Sequence, residues 1–327
     1  MKKTSIGKMV LIAALSGSFF MSSAYAAINM KLSHNHPRNH PVHIAMQSFA
    51  DKVKDLTDGE IRIRLYPDAA LGDQKDSLEQ VQNGAIALAK SNAAELEAFH
   101  DTYGAFNYPY LFENLEHFYK VLLSDTGKFI LQSSKDKGFV GIAYYDSGSR
   151  SFYAKKPINS PADLAGMKIR IQPSPSAVKM ISLLGAISTP LAYGELYTAL
   201  QQGVVDGAEN NLTALTLTRH GEVTKYYSLD EHTMIPDVLV MSTQVWDSLT
   251  DDQKAAIEQA AIESTLVMKD LWAESMKAEE EKAKEMGVQF ITVDKGPFKK
   301  AVEPMYDELK EENPAVYELI EQIRAIN

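Results

Sequence analysis

Polar and apolar residues in the first hundred positions follow two alternating periods. Every second residue is apolar over 61–66, which indicates a β-strand with one buried face. Between strands, apolar residues recur every three or four positions, as at Met46, Phe49 and Val53, which indicates an amphipathic helix. The predicted elements are a strand over 29–33, a helix that stops at Gly59, a strand over 61–66, a helix over 73–83 and a strand over 85–91. This alternation predicts a mostly parallel sheet, whose ligands lie at the carboxyl ends of the strands.

The same alternation returns after Ser151 and predicts a second α/β unit. Its predicted elements are a short helix over 161–164, a strand over 167–172, a helix over 174–184, a helix over 194–202 and a short strand that starts at Val204. Arg170 then lies late on one strand, and Asn210 lies just past the end of another. Both residues should face one edge of a second sheet, where a ligand cleft is expected.

A helix of about 36 residues is predicted from Asp251 to about Met286. Thr250 and Gln253 form a capping box at its start, and Gly287 provides a left-handed stop. At about 1.5 Å per residue the helix would be roughly 50 Å long, which is more than one small domain needs. Its apolar residues keep no sustained heptad, which argues against a coiled coil and favours a helix that braces two domains.

The first 26 residues have the organisation of a secretory signal peptide. Three lysines accompany an apolar stretch over 9–20, and residues 24–26 read Ala-Tyr-Ala, which offers a cleavage site after Ala26. The apolar stretch is too short to span a bilayer as a helix. We therefore expect a periplasmic protein without a membrane anchor, and the chain has no cysteine to which a lipid could be attached.

Composition excludes several classes of function. The formal net charge is −10, and it becomes about −13 over 301 residues when the signal segment, with its three lysines and no acid, is removed. Such a surface does not favour nucleic acid or anionic lipid as a partner. The absence of cysteine removes disulfides, thiolate catalysis and cysteine-ligated zinc. The length and the 45% of hydrophobic residues predict a globular chain with two domains.

Arg150 and Arg170 are the candidate anion-binding residues. Arginines on strands are usually solvated or paired with surface acids, so the residue type alone predicts little. Arg170, however, shortly precedes residues 173–176, Pro-Ser-Pro-Ser, which open a predicted helix, and a helix N-terminus favours anions. Only arginine offers a planar fork that holds a carboxylate through two parallel hydrogen bonds.

Several segments, in their order and spacing, resemble the solute-binding proteins of TRAP (tripartite ATP-independent periplasmic) transporters. They are 65–73 (LYPDAALGD), 108–112 (YPYLF), 166–171 (GMKIRI), 197–200 (YTAL), 205–210 (VDGAEN) and the long helix. The resemblance implies a two-domain α/β fold of the periplasmic-binding-protein type, with a ligand cleft between the domains and a long helix spanning both. It also implies a receptor without a cofactor, not an enzyme, that delivers a small organic acid to TRAP-type permease subunits in the membrane.

The resemblance also implies how the chain is divided. We expect a first domain of 27–147 and 237–275, and a second domain of 148–236 and 276–327, with the helix over 251–286 shared between them.

The resemblance further assigns roles to individual residues. Arg170 matches the arginine that clamps the carboxylate of the ligand, and Arg150 matches a second arginine near it. Asn210 matches an asparagine beside the carboxylate, and Tyr193 matches an aromatic residue at the cleft wall. The first-domain positions that match polar residues at the cleft mouth or at the distal end of the ligand are Asn35, Gln74, Ser91 and Asn92.

The polar residues of the expected cleft favour a hydroxylated acid. Asn35, Gln74, Asn92, Asn210 and Asn211 suit hydroxyl groups better than the apolar tail of a keto acid, which favours a hexuronate or an aldonate. Some sialic-acid binders have acids at the positions of Gln74 and Asn92, so sialic acid is disfavoured. A small dicarboxylate such as malate, bound by both arginines, and a 2-oxo acid remain alternatives.

Glu209 has two interpretations. It could be the general base of an exported lyase acting on acidic sugars, with Tyr193 as the other candidate base. No nucleophile, oxyanion hole or metal set accompanies it in the sequence, however, so a carboxylate that holds Arg170 or Arg150 in position is preferred.

Four histidines, at positions 34, 36, 40 and 43, suggest a metal carrier as a further class, because imidazole is a common metal ligand. No acidic residue lies between Leu32 and Ala50, and we expect no metal site. One or two of these histidines, with His34 as the candidate, are expected to donate hydrogen bonds to a polyhydroxy acid, and the others to lie at the surface.

Overall fold

Two mixed β-sheets organise the computed structural model of the chain, which describes residues 27–326. The predicted signal peptide lies outside the described residues. The strands are β1 Ile28–Ser33, β2 Ile61–Tyr66, β3 Leu88–Asn92, β4 Phe139–Tyr145, β5 Ser149–Ala154, β6 Lys168–Ile171, β7 Ile187–Pro190, β8 Gly207–Asn210, β9 Tyr226–Met234, β10 Asp237–Ser242 and β11 Gln289–Thr292. The first sheet has the order β2-β1-β3-β10-β4, and the second has the order β11-β9-β5-β8-β6-β7.

Helices cover both faces of the two sheets. They are α1 Pro41–Leu56, α2 Gln74–Gln82, α3 Ala93–Glu97, α4 Leu115–Leu122, α5 Asp125–Gln132, α6 Pro175–Leu183, α7 Leu196–Gln202, α8 Thr213–Thr216, α9 Thr243–Ser248, α10 Asp251–Glu285, α11 Gly296–Val302, α12 Pro304–Glu312 and α13 Pro314–Arg324. Within residues 27–326, none of them is long and apolar enough to cross a membrane.

The hydrophobic core has one cluster on each face of each sheet. Neighbouring side chains of a strand point to opposite faces, so Leu239 and Val240 of β10 belong to different clusters of the first sheet. Phe152 and Tyr153 of β5 are divided in the same way between the two clusters of the second sheet. Each domain is therefore a layered α/β structure with a sheet buried on both faces.

The sequence predicted mostly parallel sheets, but each sheet contains a central antiparallel strand. In the first sheet β1 is parallel to β2 and β3, whereas β10 is antiparallel to β3 and β4. In the second sheet β6 is parallel to β7 and β8, whereas β5 is antiparallel to β8 and β9. β5 and β10 are the strands that the chain forms directly after crossing from one sheet to the other. A strand that arrives from the other domain lacks the crossover helix that normally accompanies parallel pairing.

α10 spans the two domains, as the sequence predicted. It has 35 residues and begins with a capping box between Thr250 and Gln253, so its length is about 52 Å. Its first two thirds pack Ile257 and Trp272 into a core cluster of the first sheet. Near its end, Ala283 packs into a cluster of the second sheet. The helix thus buries residues in both domains.

The C-terminal helices are divided between the domains. α11 and α12 contribute Phe298 and Met305 to a core cluster of the second sheet. α13 contributes Ile320 and Ile323 to a cluster of the first sheet, although the sequence placed all of 276–327 in the second domain. The domain boundaries as a whole remain a prediction, and the packing of α13 supports moving 314–324 to the first domain.

Element boundaries differ from the prediction in two places of the second unit. The short strand expected from Val204 begins at Gly207, because Val204 lies in an exposed bend after the left-handed Gly203. The helix expected over 194–202 is divided into a single 3₁₀ turn over 193–195 and α7. Asn210 is consequently the last residue of β8 and does not lie beyond it.

Gly148, in the crossing from β4 to β5, generates the first prediction. Its φ is +64°, and a Cβ built on it would lie 2.7 Å from Cζ2 of Trp272. We expect Gly148→Ala to lower the free energy of unfolding by about 2–4 kcal/mol, because left-handed backbone and overpacking both oppose the added methyl group. Urea unfolding measures the change.

Gly185→Ala is the matched control for this measurement. Gly185 has a φ of +83°, but a Cβ there would have nothing within 4 Å. Only the backbone cost of about 1–2 kcal/mol is expected. Equal destabilisation by the two substitutions would show that contact with Trp272 does not constrain residue 148.

Candidate functional site

A cavity between the two sheets is lined by polar residues from both domains. This inner cavity has a volume of about 30 Å³, room for about two water molecules. Its lining consists of Asn35, His36, Gln74, Lys90, Asn92 and Asp237 on one side, and Ser147, Arg150, Arg170, Gln172, Tyr193, Asn210, Asn211 and Thr213 on the other. Asn35, Gln74 and Tyr193 also line a wider outer cavity of about 620 Å³. The inner cavity is the deep end of a cleft.

Arg150 is held by four hydrogen bonds to β8. Its Nε donates to Glu209 Oε2 at 2.5 Å, and Nη2 donates to Glu209 Oε1 at 2.8 Å and to the Glu209 carbonyl oxygen at 2.9 Å. Nη1 donates to Asn210 Oδ1 at 2.9 Å. β5 and β8 are antiparallel neighbours, and this pairing places Arg150 beside both acceptors. Of the two arginines that Glu209 was expected to hold, it holds Arg150.

A histidine supports Glu209 from behind. His232 Nε2 lies 3.3 Å from Glu209 Oε2, and its Nδ1 lies 2.7 Å from Asp230 Oδ2. Burial alone would lower the pKa of His232, but Asp230 and Glu209 outweigh it and raise the pKa to about 9. Burial alone would raise the pKa of Glu209, but Arg150 and His232 outweigh it and lower the pKa to about 2. His232 is therefore a cation at neutral pH, and both ring nitrogens donate.

Arg170 is different because it has no acidic partner among the residues that the structure describes. Its side chain is fully buried, and Nε and Nη2 donate to the Leu191 carbonyl oxygen at 3.0 and 2.7 Å. Nη1 is buried without a hydrogen-bond partner in this part of the chain, and the ring of Tyr193 lies 5.7 Å from the guanidinium carbon. Burial lowers the pKa of Arg170, yet an arginine remains protonated in proteins. The cavity therefore contains a buried cation with a free donor.

The first-domain side of the cavity contains a buried ion pair. Lys90 Nζ lies 3.2 Å from Asp237 Oδ1, and both side chains are almost completely buried. Asn92 Nδ2 donates to the same oxygen at 3.0 Å. His36 Nε2 lies 3.1 Å from Lys90 Nζ and 3.4 Å from Asp237 Oδ2. These groups meet because Asp237 is the cross-strand partner of Asn92 on β3 and β10.

The N-terminus of α6 binds a carboxylate of the protein itself. The sequence suggested that this helix end, shortly after Arg170, would favour the anion of the ligand. Glu97 of the first domain fills it instead: Ser174 Oγ donates to Glu97 Oε2 at 2.5 Å, and Ser176 Oγ donates to Oε1. The anion preference of the helix end is thus used in a contact between the domains.

The structure brings eight of the eleven predicted site residues together around the inner cavity. These are Arg170, Arg150, Asn210, Tyr193, Asn35, Gln74, Asn92 and Asn211. Glu209 lies behind Arg150 and does not line the cavity. Ser91 also lies elsewhere, because side chains alternate along β3 and the cavity is lined by its neighbours Lys90 and Asn92. The ligand-binding roles of all these residues remain a prediction.

His34 does not line the inner cavity, and both of its ring nitrogens are engaged by other residues. Nε2 bonds to His43 Nδ1 at 2.9 Å, and the His36 backbone N–H donates to Nδ1 at 3.2 Å. His36 lines the cavity in its place. The expectation that the other histidines lie at the surface was wrong, since His40 and His43 are buried. Within residues 27–326, no group of three or more histidine or acidic residues is arranged to hold a metal ion.

Sequence reasoning missed the charged residues of the first-domain wall. Lys90 interrupts a segment of small and apolar residues over 85–91 that was predicted to be a buried strand, and a lysine in a buried strand was the available signal. Asp237 gave a similar signal, since it directly precedes the apolar run over 238–241. Nothing in the sequence indicated that residues 147 positions apart would pair.

Comparison with known proteins identifies the family. Residues 32–313 match the model for bacterial extracellular solute-binding protein, family 7. An uncharacterized protein of Salmonella typhimurium is 37% identical over 99% of both chains. A crystal structure of a TRAP periplasmic solute-binding protein from Anaerococcus prevotii, with bound D-glucuronate, is 40% identical with a TM-score of 0.87, covering 90% of this chain and 98% of that one. The corresponding protein from Xanthobacter autotrophicus, with bound β-D-galacturonate, is 38% identical with a TM-score of 0.88, covering 91% and 100%.

The raised pKa of His232 predicts a pH dependence of stability. The folded-state pKa of about 9 exceeds the unfolded value, so the stabilisation is fully present below about pH 6.5 and is lost as the pH rises through 9. We expect the gap in unfolding free energy between wild type and His232→Gln to shrink by on the order of 3 kcal/mol from pH 6 to 9.5. Denaturant unfolding at each pH measures the gap.

His220→Gln is the control for this experiment. Burial and Arg170 lower the pKa of His220 to about 3, so this histidine stays neutral in the folded protein across the range. Its gap should therefore rise slightly, by less than about 1 kcal/mol, from pH 6 to 9.5, as the unfolded-state imidazole loses its proton. A gap for His232→Gln that stayed constant or rose in the same way would contradict the buried imidazolium.

Proposed function

The chain belongs to family 7 of the bacterial extracellular solute-binding proteins, the TRAP solute-binding proteins, and we propose that its solute is a hexuronate. Proteins of this family bind small organic acids in the periplasm and work with TRAP membrane permeases, and they are binding proteins, not enzymes. We further propose that this chain reaches the periplasm through the signal peptide over 1–26, cut after Ala26.

The observation that carries the proposal is the balance of charge around the inner cavity. Arg150 is neutralised by Glu209, and Lys90 is neutralised by Asp237. Arg170 is the one charged residue of the lining that has no ion-pair partner within residues 27–326. Because an unpaired buried charge is costly, the site is best completed by a solute with a single negative charge.

Unpartnered acceptors on the first-domain side of the cavity indicate which groups the rest of the solute carries. Asn35 Oδ1 and Gln74 Oε1 are buried without a donor from the described residues, while Gln74 Nε2 donates to Glu95. Hydroxyl groups can supply the missing hydrogens, whereas a second carboxylate or a keto group cannot. The solute that fits both sides is therefore a polyhydroxy monocarboxylate, and two similar structures contain hexuronates.

The alternative acids fit the same groups less well. The second carboxylate of a dicarboxylate would need a second free cation, and Arg150 is already committed to Glu209 through both Nε and Nη2. A 2-oxo acid would leave the acceptors of Asn35 and Gln74 without donors. Both solutes leave buried groups unsatisfied that a hexuronate would satisfy.

The geometry also argues against lyase chemistry. Glu209 has its pKa lowered to about 2, which makes it a poor base at neutral pH. Tyr193 has its pKa raised by burial, and its hydroxyl bonds to Thr218 Oγ1 at 2.8 Å. Neither candidate base is poised to remove a proton from a bound sugar acid.

Arg170 provides the direct test of the carboxylate clamp. We expect Arg170→Ala to weaken the binding of D-glucuronate or D-galacturonate by roughly thirtyfold to several thousandfold, because a fully desolvated charge pair is lost. Arg170→Lys keeps the charge but loses the planar fork, so its dissociation constant should lie between those of wild type and Arg170→Ala. Isothermal titration calorimetry gives the dissociation constants.

Arg219→Ala is the matched control, because Arg219 is exposed and pairs with Glu222 on the surface. It should bind the solute as wild type does. If Arg170→Ala bound the solute within about threefold of wild type, the clamp assignment would be wrong.

A thermal-shift panel tests the class of solute. A solute that binds only the folded protein stabilises it by about 2.7 kcal/mol at a concentration of about one hundred times Kd. We expect hexuronates and aldonates to raise the melting temperature, and malate and 2-oxo acids to leave it nearly unchanged. A larger rise with malate would favour the dicarboxylate alternative. We also expect the solute to be recovered unchanged after long incubation with the protein, whereas a lyase would convert it.

A further inference from the structure

The buried pair Lys90–Asp237 is not needed to bind the carboxylate of the solute. It lies on the first-domain side of the inner cavity, whereas Arg170 lies on the second-domain side. A buried ion pair is also weak as a source of stability, because desolvation offsets much of the attraction between the charges. Its position on the lining of the cavity suggests a role in recognising another part of the solute.

The hydrogen bonds of this pair cannot all be satisfied by the part of the protein that the structure describes. The ammonium of Lys90 only donates, so His36 Nε2, at 3.1 Å, must carry a lone pair to accept from it. To bond to Asp237 Oδ2, at 3.4 Å, the same nitrogen would have to carry a proton. Burial keeps His36 neutral by lowering its pKa to about 4, so Nε2 serves one partner and not both.

Either tautomer of His36 leaves two donors and one acceptor unmet. If Nε2 accepts from Lys90, then Asp237 Oδ2 lacks a donor, and the third N–H of Lys90 and the Nδ1–H of His36 lack acceptors. If Nε2 donates to Asp237, Lys90 has two free N–H groups and His36 Nδ1 lacks a donor. His36 Nδ1 is indeed buried without a partner from residues 27–326. Buried polar groups are rarely left in this condition.

Resting on the proposed hexuronate function, we infer that Lys90 and Asp237, arranged by His36, recognise two adjacent hydroxyl groups of the solute. Lys90 donates to the oxygen of one hydroxyl, and the other hydroxyl donates to Asp237. A hydroxyl group both donates and accepts, so when His36 Nε2 accepts from Lys90 a vicinal diol can give Lys90 its missing acceptor and Asp237 Oδ2 its missing donor. A second carboxylate could not donate, and it would lie beside the carboxylate of Asp237. The pair thus selects a hydroxylated solute at the end remote from Arg170.

The test is a set of double-mutant cycles between protein and solute. Dissociation constants are measured for wild type, Lys90→Met, Asp237→Asn and the double variant, with D-glucuronate and its 2-, 3- and 4-deoxy analogues. Each single substitution should weaken the binding of D-glucuronate roughly tenfold to more than a hundredfold, as expected when a hydrogen bond to a charged group is lost. For Asp237→Asn, one deoxy analogue and D-glucuronate should have the same dissociation constant, because the hydroxyl that the analogue lacks has already lost its partner. For Lys90→Met, the same should hold for the analogue that lacks the adjacent hydroxyl.

A surface pair in the same domain gives the control. Lys52 bonds to Glu263 at 2.8 Å, with both side chains exposed, so Lys52→Met should preserve the wild-type order of the dissociation constants of the four sugars.

Removal of one buried charge can also impair folding. If the melting curve of either single variant shows that it is unfolded, the double variant, which carries neither charge, is compared directly with the wild type. It should then bind D-glucuronate and both sensitive deoxy analogues alike.

The possible results separate this inference from the proposed function. Suppose that wild type binds D-glucuronate and Arg170→Ala does not. If the Lys90 and Asp237 variants then weaken the binding of all four sugars by one common factor, or do not weaken it, the diol assignment is overturned and the hexuronate function stands. If wild type binds neither these four sugars nor D-galacturonate, the proposed function fails and this inference fails with it.

Discussion

A buried positive charge without an ion-pair partner among residues 27–326 is the constraint around which the cleft is organised. Arg170 is tolerated because the Leu191 carbonyl oxygen accepts two of its hydrogen bonds and the face of Tyr193 lies beside the guanidinium. The other charged residues of the cavity lining are compensated within the protein, in the pairs of Arg150 with Glu209 and Lys90 with Asp237. A negatively charged solute would therefore complete the electrostatics of this lining.

The compensated charges explain how ionised groups can be buried beside the cavity and held in place by hydrogen bonds. Glu209 accepts from Arg150 and His232 together, and Asp230 holds His232 by its other nitrogen. Each of these groups has its hydrogen-bonding partners fixed by strands of the second sheet, so the donors around Arg170 are positioned before a solute arrives. Such preorganisation reduces the ordering cost that binding would otherwise carry.

The sequence predicted the parts of this architecture that depend on local periodicity. The alternation over 61–66 and the capping box of α10 were sufficient to place a strand and a domain-spanning helix. The antiparallel direction of β5 and β10 and the pairing of Lys90 with Asp237 were not predictable, because both depend on where the chain returns after visiting the other domain. His34 shows the same limit: its residue type suggested solute contact, but its neighbours in space occupy both ring nitrogens.

The contact between Glu97 and the start of α6 has a consequence for capture itself. It joins the two domains through hydrogen bonds from Ser174 and Ser176 and involves no atom of a solute. Any arrangement that separates the two domains loses these hydrogen bonds, so the contact favours the arrangement described above independently of the solute. The apparent affinity for any solute depends on how often the receptor adopts that arrangement. Evolution could tune the strength of capture at Glu97 while leaving the choice of solute untouched.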